Sequence, residues 1–477
     1  MSGWNACTRS GITELESLGV VDSTFLSRER LAAAFTFAAR LSFAGVLFTS
    51  PWMIQWVDVQ RRLDSIYSGY TDFFIYPSDL FLLLTVVFGL ATPPVEGRRW
   101  QRGPWYLTFP LLGLVALSFL SALFALDPPL SLYHSMRFVL LFGLYLALVN
   151  TRVPPGWVAA PLALAVLVQS VVAILQFATQ ASLGLHAWGE LVLDPAVSGV
   201  SILRYDDVRI LRAYGLTEHP NLLGGFLAFA LIFVIGYYLA SGRRARSLML
   251  VPVGLGVAAL FYTFSRSAQL ALAVGAALMA AALLRRRRLG DAVLLVIVIL
   301  LAVLVPAVNN QRLLAQRLGA SNAFQENVNE ARSVNERDAL IQSANRVFYQ
   351  RQALGVGNGG VTLGMYVLDP EFPRDTYFYQ PAHLVLLDAA AELGLVGGFL
   401  WLWLMVAPLI AMWHSRAQLT AHPWLAAVSA AILFALVAGF FDYYTWFWQP
   451  GRIWQWSAWG LFASAVSRVV APTAAES

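Results

Sequence analysis

Three basic residues lie where long apolar stretches of the chain begin, and their side chains could act together on an anion. Arg212 lies shortly before Asn221, which opens one such stretch, whereas Arg266 opens a second and His383 a third. The start of a helix carries unpaired backbone N–H groups and the positive end of the helix dipole, so it binds anions readily. A guanidinium also pairs with two phosphate oxygens at once. This pattern favours one shared site for a phosphorylated ligand.

His383 is the candidate for proton transfer. A neutral imidazole, whose unperturbed pKa is roughly 6.5, can accept a hydroxyl proton near neutral pH. A lone histidine at a helix start more often caps the helix or fills a packing gap. Asp388 and Glu392 compete for the role of base. At about 100° per helical residue, however, both are expected to point away from His383 and to lie deeper in the membrane.

The arginines also admit a second interpretation. Arg212 and Arg266 could extend to lipid head groups, or pair with Asp207 and Glu218. Arg137, near the expected end of another apolar stretch, adds a further positive charge on the same side. The combination of several such residues favours an anion site that includes Arg137, although each arginine alone leaves both interpretations open.

A glycine-rich turn precedes His383. Gly355, Gly357 and Gly359 resemble a phosphate-binding loop, but no Lys-Ser/Thr pair follows them, which argues against nucleotide binding. We expect these glycines to form a sharp turn that carries the preceding segment over the site as a lid. No cluster of residues has the spacing of a metal site, so we expect neither a metal nor a cofactor.

The elements that must position these residues are membrane helices. The chain has 477 residues, of which 58% are hydrophobic and 12% charged, so it cannot keep its apolar side chains off its surface in water. Runs of the ~20 residues needed to cross a bilayer recur along it. We predict an all-α polytopic membrane protein with about 12 transmembrane helices. Their predicted ranges are 31–57, 77–92, 105–125, 131–150, 157–180, 220–240, 247–264, 266–284, 290–308, 383–413, 423–441 and 453–471.

The arginines between these helices predict the topology. They concentrate in alternate connections, including the run from Arg285 to Arg288, and such connections stay in the cytoplasm. Topology also explains the four-arginine run better than nucleic-acid recognition does, so we expect no nucleic-acid partner. Residues 1–30 and 472–477 are predicted cytoplasmic tails, flanking helices 1–9 (31–308), a long outer loop (309–382) and helices 10–12 (383–471).

The long outer loop is expected to be partly helical. Residues 331–351 contain few helix breakers and place Leu340, Ala344 and Val347 on one face. This pattern predicts an amphipathic helix that lies on the membrane surface.

At these motifs the sequence resembles the O-antigen ligase family, bacterial membrane proteins that include O-antigen polymerases. Two departures stand out: the family often has Pro before its Gly-Val-Gly turn, where this chain has Gln352 and Ala353, and Asn after the histidine, where this chain has Leu384. The matching pieces are Arg212-Ala-Tyr-Gly with Pro220-Asn221, Phe264-Ser265-Arg266-Ser267, Leu354-Gly355-Val356-Gly357-Asn358-Gly359, His383, and Glu392-Leu-Gly-Leu-Val-Gly397.

The resemblance implies glycan transfer at the outer face of the bacterial cytoplasmic membrane. The donor would be a glycan linked through pyrophosphate to a polyprenol, and the acceptor a hydroxyl of a glycan or glycolipid. Arg212 and Arg266, with Asn221 and Arg137, would bind the pyrophosphate, and His383 would take the acceptor proton. Ligase and polymerase remain open alternatives. A secondary transporter is the alternative from another class, against which stand the long outer loop and the lack of paired broken helices.

Overall fold

The computed structural model describes residues 25–61, 66–93, 100–197, 199–205, 208–285, 289–317, 326–372 and 379–470. Both predicted tails lie almost wholly outside these residues. The helices are α1 (Phe25–Thr49), α2 (Pro77–Leu90), α3 (Trp105–Ala122), α4 (Pro128–Thr151), α5 (Pro155–Thr179), α6 (Pro220–Ala240), α7 (Arg243–Tyr262), α8 (Arg266–Arg285), α9 (Leu289–Asn309), α10 (Gln311–Arg317), α11 (Glu326–Gln350), α12 (Val361–Leu368), α13 (Val385–His414), α14 (Arg416–Ala421), α15 (Pro423–Phe441) and α16 (Gln449–Val470).

The all-α membrane architecture is confirmed. Ten described helices are long and apolar enough to cross a membrane, namely α1, α3 to α9, α13 and α15. The apolar helix α2 is shorter, and α16 occupies the position of the twelfth predicted span. Prolines open α2, α4, α5, α6 and α15, where the missing N–H leaves no intrahelical bond unmade.

Helix α6 lies at the centre of the bundle. It contacts α5, α7, α8 and α15, and almost all of its residues are buried. Its start therefore meets several other helix ends inside the protein. At Gly224, one turn into α6, an added β-carbon would come within 2.9 Å of the Ser265 side chain, just before α8. We call this end of the bundle, where α6 and α8 begin together, the site end.

Two short antiparallel hairpins also contribute. The first pairs β1 (Trp56–Val59) with β2 (Phe73–Ile75), with a register shift between Val57 and Val59. The second pairs β3 (Ile202–Tyr205) with β4 (Val208–Leu211) and leads directly into Arg212. Since the pairing of Ile202 with Leu211 fixes the end of β4, this hairpin sets where Arg212 enters the bundle.

The predicted amphipathic helix of the long loop is present as α11, but its surroundings differ from the prediction. Leu340, Ala344 and Val347 are buried, and α11 packs against α12 and α13. Its apolar face is therefore covered by protein rather than by the membrane surface. Arg346 on α11 also forms an ion pair of 2.9 Å with Asp369, which follows α12.

Helix α13 differs from the predicted uninterrupted span. It begins at Val385, so His383 precedes the helix, and it is broken at Gly394, where φ is 74° and ψ is −175°. A side chain strongly disfavours this conformation, which glycine adopts freely. The break leaves backbone groups near the middle of a membrane helix that need partners from elsewhere in the chain.

Candidate functional site

Arg212 is held at the site end by three hydrogen bonds. Its Nε donates to the Thr263 carbonyl oxygen at 2.7 Å, Nη1 to Ser201 Oγ at 2.9 Å and Nη2 to Asn221 Oδ1 at 2.8 Å. The side chain is buried. These bonds tie the chain after β4 to the start of α6 and to the residues before α8, so the structure brings Arg212 and Asn221 into contact.

Asp442 continues this network. Asn221 Nδ2 donates to Asp442 Oδ2 at 3.0 Å, while Asp442 Oδ1 accepts from the Tyr443 backbone N–H at 2.9 Å. Asp442 ends α15 and is buried, which raises the pKa of its carboxyl to about 6. An amide thus separates the guanidinium of Arg212 from this carboxylate, so that neither charge neutralises the other by direct contact.

His383 packs against Tyr443, the residue that follows Asp442. Its ring meets the ring of Tyr443 edge to face, with 5.1 Å between centroids. His383 is half-buried, and its Nδ1 has no hydrogen-bond partner within the described ranges. Burial and the positive charge of Arg337 lower the pKa of His383 to about 3, so the imidazole is neutral at physiological pH.

Arg337, on α11, was not singled out by the sequence. Its positive charge lowers the pKa of both His383 and Asp442, so it lies near both side chains. Its helix is the one that the sequence expected on the membrane surface. Because α11 instead packs on α12 and α13, one of its arginines is delivered to the site end.

Arg266 begins α8 at an exposed position. Arg212 donates to the carbonyl oxygen of Thr263, three residues before Arg266. This bond links Arg212 to the segment that leads into Arg266. Ser265 Oγ lies 3.3 Å from Ser267 Oγ across the helix start. The first turn of α8 therefore presents its N–H groups and Arg266 at the site end.

Arg137 belongs to a different cluster. Its guanidinium pairs with the Asp79 carboxylate at 3.0 Å and donates to the Phe74 carbonyl oxygen. It also lies over the Tyr133 ring, 4.7 Å from the centroid. Gln449 donates to the same carboxylate at 2.9 Å. These contacts join α2, α4 and α16, and none of them connects Arg137 with Arg212 or His383.

Residues 251–402 match a family model described as O-antigen ligase. This match confirms the resemblance seen in the sequence. We call residues 251–402 the O-antigen ligase region. The match covers the starts of α8 and α13 and the whole segment between them, whereas Arg212, Asn221 and Asp442 lie outside it. A search of curated proteins found no match.

Within the O-antigen ligase region, the glycine turn is docked into the break of α13. Val356 N–H donates to the Ala391 carbonyl at 3.0 Å, and Gly357 N–H donates to the Glu392 carbonyl at 3.0 Å. The Leu395 N–H in turn donates to the Gln352 carbonyl at 2.8 Å. The turn therefore supplies the partners that the broken helix lacks.

The three predicted lid glycines lie inside this docked turn. Gly355, Gly357 and Gly359 all have positive φ and are buried. A β-carbon at Gly355 would clash with the Glu392 carbonyl, and one at Gly359 with the His134 ring. The glycines are therefore required for close packing inside the bundle.

The two competing carboxylates of the O-antigen ligase region have structural partners. Glu392 accepts from Trp446 Nε1 at 2.8 Å and from the Val361 N–H at 3.3 Å. Asp388 Oδ1 accepts from the Ala382 N–H at 2.9 Å. Helix α13 begins only at Val385, so His383 is not part of it. The angle of about 100° per helical residue therefore does not separate Asp388 from His383, and Asp388 contacts Ala382, the residue before His383.

The site residues missed by sequence reasoning had one available signal. Asp442 is the only acidic residue between Glu392 and Glu476. A lone carboxyl in so long an apolar stretch requires a buried partner, and here Asn221 supplies it. Arg337 gave no such signal, because it is one of several charged residues along α11. Among the described residues, no group of three His, Cys, Asp or Glu side chains could hold a metal ion.

Proposed function

We propose that the protein transfers a glycan from a polyprenyl-pyrophosphate donor to a hydroxyl of an acceptor glycan or glycolipid. The reaction would take place at the outer face of the bacterial cytoplasmic membrane. The supporting observation is the continuous link from Arg212 through Asn221 and Asp442 to Tyr443, against which His383 packs. It joins a fixed cation to a neutral imidazole at one end of the bundle.

In this reaction the acceptor oxygen forms a bond to the anomeric carbon of the donor sugar. The bond between that carbon and the phosphate oxygen breaks, and its electron pair leaves with the polyprenyl pyrophosphate. The acceptor proton passes to the His383 imidazole and later to water. Breaking the glycosyl phosphate bond drives the transfer, so the reaction consumes no nucleotide.

The arginines would stabilise the charge of the leaving group. Arg212 is held in place before any ligand binds, and Arg266 and Arg337 add two further positive charges. Preorganised donors of this kind contribute roughly 3 kcal/mol each in other enzymes. We propose that these three cations make a metal ion unnecessary. Arg137, with its own carboxylate partner, would support the fold rather than the donor.

The chemistry is common to a ligase and a polymerase, and the two differ in their acceptors. A ligase moves a finished glycan to a different acceptor, whereas a polymerase extends a lipid-linked chain. Deleting a polymerase leaves single repeat units. Deleting a ligase leaves full-length polymer on its lipid carrier, so product size on a gel separates them.

The structure of α13 argues against a secondary transporter. Carriers use the free carbonyls of broken helices to hold ions at the membrane midplane. Here the freed Ala391 and Glu392 carbonyls accept bonds from Val356 and Gly357, and Ser121 Oγ adds a third bond at 3.1 Å to Glu392 O. The break is thus filled by the chain itself. Solute uptake by proteoliposomes without any glycan transfer would overturn the proposal.

The direct test is glycan transfer from a polyprenyl-pyrophosphate glycan in the presence of EDTA. We expect Arg212→Ala, Arg266→Ala and His383→Ala each to lose transfer while remaining folded. Arg209→Ala, on the hairpin that leads to Arg212, and His414→Ala, at the other end of α13, serve as matched controls. Full activity of His383→Ala would remove it as the base, and loss of wild-type activity in EDTA would remove the metal-free mechanism.

A further inference from the structure

The site end has a second side, on which the side chains are aromatic and acidic rather than cationic. Asp442 has an extended backbone, with φ −157° and ψ 160°. Successive side chains of an extended chain point in opposite directions. Asp442 accordingly faces Asn221 and Arg212, whereas Tyr443 faces His383 and Tyr70. Asp442 therefore lies on the cationic side of the site and Tyr443 on the aromatic side, where it contacts His383.

Three tyrosines form the wall of this second side. The hydroxyls of Tyr443 and Tyr70 lie 2.7 Å apart, and the Tyr70 ring meets the Tyr67 ring with 5.7 Å between centroids. Tyr70 is backed by Phe447, with 5.0 Å between ring centroids. Tyr67 is 46% exposed, so the wall is open to solvent at that end. We call Tyr67, Tyr70 and Tyr443 the tyrosine wall.

Two polar side chains lie along the tyrosine wall. Glu218 Oε1 accepts from the Tyr67 hydroxyl at 2.6 Å, and Gln380 Oε1 accepts from the Tyr443 hydroxyl at 3.4 Å. The other Glu218 oxygen, Oε2, is buried and has no hydrogen-bond partner in the part of the chain that the structure describes. A buried carboxylate oxygen without a donor is costly, and a ligand hydroxyl would remove that cost.

This combination fits one class of ligand. A pyranose ring has apolar C–H faces that pack on aromatic rings and hydroxyls that donate to carboxylate and amide oxygens. A pyrophosphate does not fit, because the tyrosine wall, Glu218 and Gln380 supply no cation to pair with it. Burial raises the pKa of Glu218 to about 7, so its carboxyl is only partly ionised near neutral pH. The cationic side and the tyrosine wall are therefore suited to different substrates of one reaction.

We propose that the tyrosine wall, with Glu218 and Gln380, binds the sugar ring of the acceptor, and that Glu218 Oε2 holds one of its hydroxyls. The acceptor then lies on the Tyr443 side of His383 and the donor pyrophosphate on the Asp442 side. This assignment rests on the proposed glycan transfer, to which it adds the place and chemistry of the acceptor. It makes Tyr67 and Glu218 determinants of acceptor affinity, whereas the buried Tyr70 holds Tyr67 and Tyr443 in place.

Binding can be measured without turnover. The protein in lipid nanodiscs is mixed with methyl glycosides of glucose, galactose, mannose and N-acetylglucosamine, and saturation transfer is detected by NMR. We expect at least one glycoside to bind the wild type. Its signal should fall by up to about tenfold in Tyr67→Ala and Glu218→Gln, in line with the loss of one hydrogen bond or one ring contact. Tyr349→Ala, an exposed tyrosine on α11, is the matched control.

Kinetics separate this proposal from the proposed function. Tyr67→Ala and Glu218→Gln should raise KM for the acceptor by about tenfold with KM for the donor unchanged. Arg212→Lys should instead raise KM for the donor and leave KM for the acceptor unchanged. No glycoside signal from the wild type, or equal signals from all variants, would overturn the acceptor subsite. Glycoside binding in the expected pattern without transfer from any lipid-linked donor would instead overturn the proposed function and leave a sugar-binding wall.

Discussion

Asn221 donates from Nδ2 to Asp442 Oδ2 at 3.0 Å, across 221 residues of sequence. The same amide accepts from Arg212 through Oδ1 at 2.8 Å. One short side chain thus holds a cation and an anion at a fixed separation. Its two ends have opposite hydrogen-bonding character, and the amide orientation that satisfies both partners is unique.

Replacing this amide should disturb the site more than the fold. In Asn221→Leu, which keeps the branching of the side chain but neither polar end, Arg212 loses an acceptor and Asp442 loses a donor. We expect a loss of about 1 to 3 kcal/mol in stability and about a 100-fold loss of transfer because the guanidinium is no longer aligned. Thermal unfolding and transfer rates measure the two effects. Asn150→Leu, which removes a 2.8 Å bond to the Gln101 carbonyl, is the control, and equal transfer by both variants would contradict the prediction.

The charge of Arg337 should be visible in the titration of His383. Burial and this charge lower the pKa of His383 to about 3, so the wild-type imidazole should not titrate between pH 5 and 8. Arg337→Gln removes one of the two causes, so the midpoint should move to higher pH, toward roughly 6.5. The chain has six histidines, which makes selective labelling for NMR practical, with His383→Gln giving the assignment. A wild-type midpoint near the ordinary value would be inconsistent with this account.

The break in α13 should tolerate no side chain. Gly394→Ala forces a left-handed φ of 74° on alanine and pushes a β-carbon into the Ala353 carbonyl. We expect a loss of about 3 kcal/mol or more, from backbone strain and the displaced turn together. Gly290→Ala on α9 meets no atom within 4 Å and should be neutral or slightly stabilising. Thermal unfolding in detergent compares them, and similar unfolding temperatures would refute the docking of the turn.

Arg137 should matter for stability through Asp79. Arg137→Met leaves the half-buried Asp79 carboxylate without its cation and should cost about 3 kcal/mol, whereas the double change Arg137→Met with Asp79→Leu should recover much of this loss. The recovered protein should also transfer glycan. If the double variant folds but does not transfer glycan, Arg137 binds the donor, as the sequence suggested.

The parts of the site that the sequence predicted are those marked by helix starts. Arg212 and Asn221 flank a proline that opens α6, and this local pattern holds in the structure. Asp442 and Arg337 were not predicted because their roles depend on packing between distant segments. The burial of α11 against α13 could not be read from its amphipathic pattern, which is the same for a helix on a membrane and a helix on a protein.

The break at Gly394 was hidden for a related reason. Glycine occurs in many uninterrupted membrane helices, so residues 383–413 read as one apolar span. The break becomes intelligible only with the turn at Val356 and Gly357 in place, because that turn satisfies the carbonyls of Ala391 and Glu392. Local sequence carries no record of a partner more than thirty residues away.

The docked turn also bears on how the protein is made. Val356 and Gly357 are synthesised before Ala391 and Leu395, so the docked turn exists before α13 leaves the ribosome. Until the two meet, the Ala391 and Glu392 carbonyls and the Leu395 N–H, on either side of the break, lack these partners. Membrane insertion of this segment is thereby coupled to the arrival of an upstream loop. A chain cut or lengthened between residues 352 and 394 would be penalised during biogenesis, before any catalytic defect could be seen.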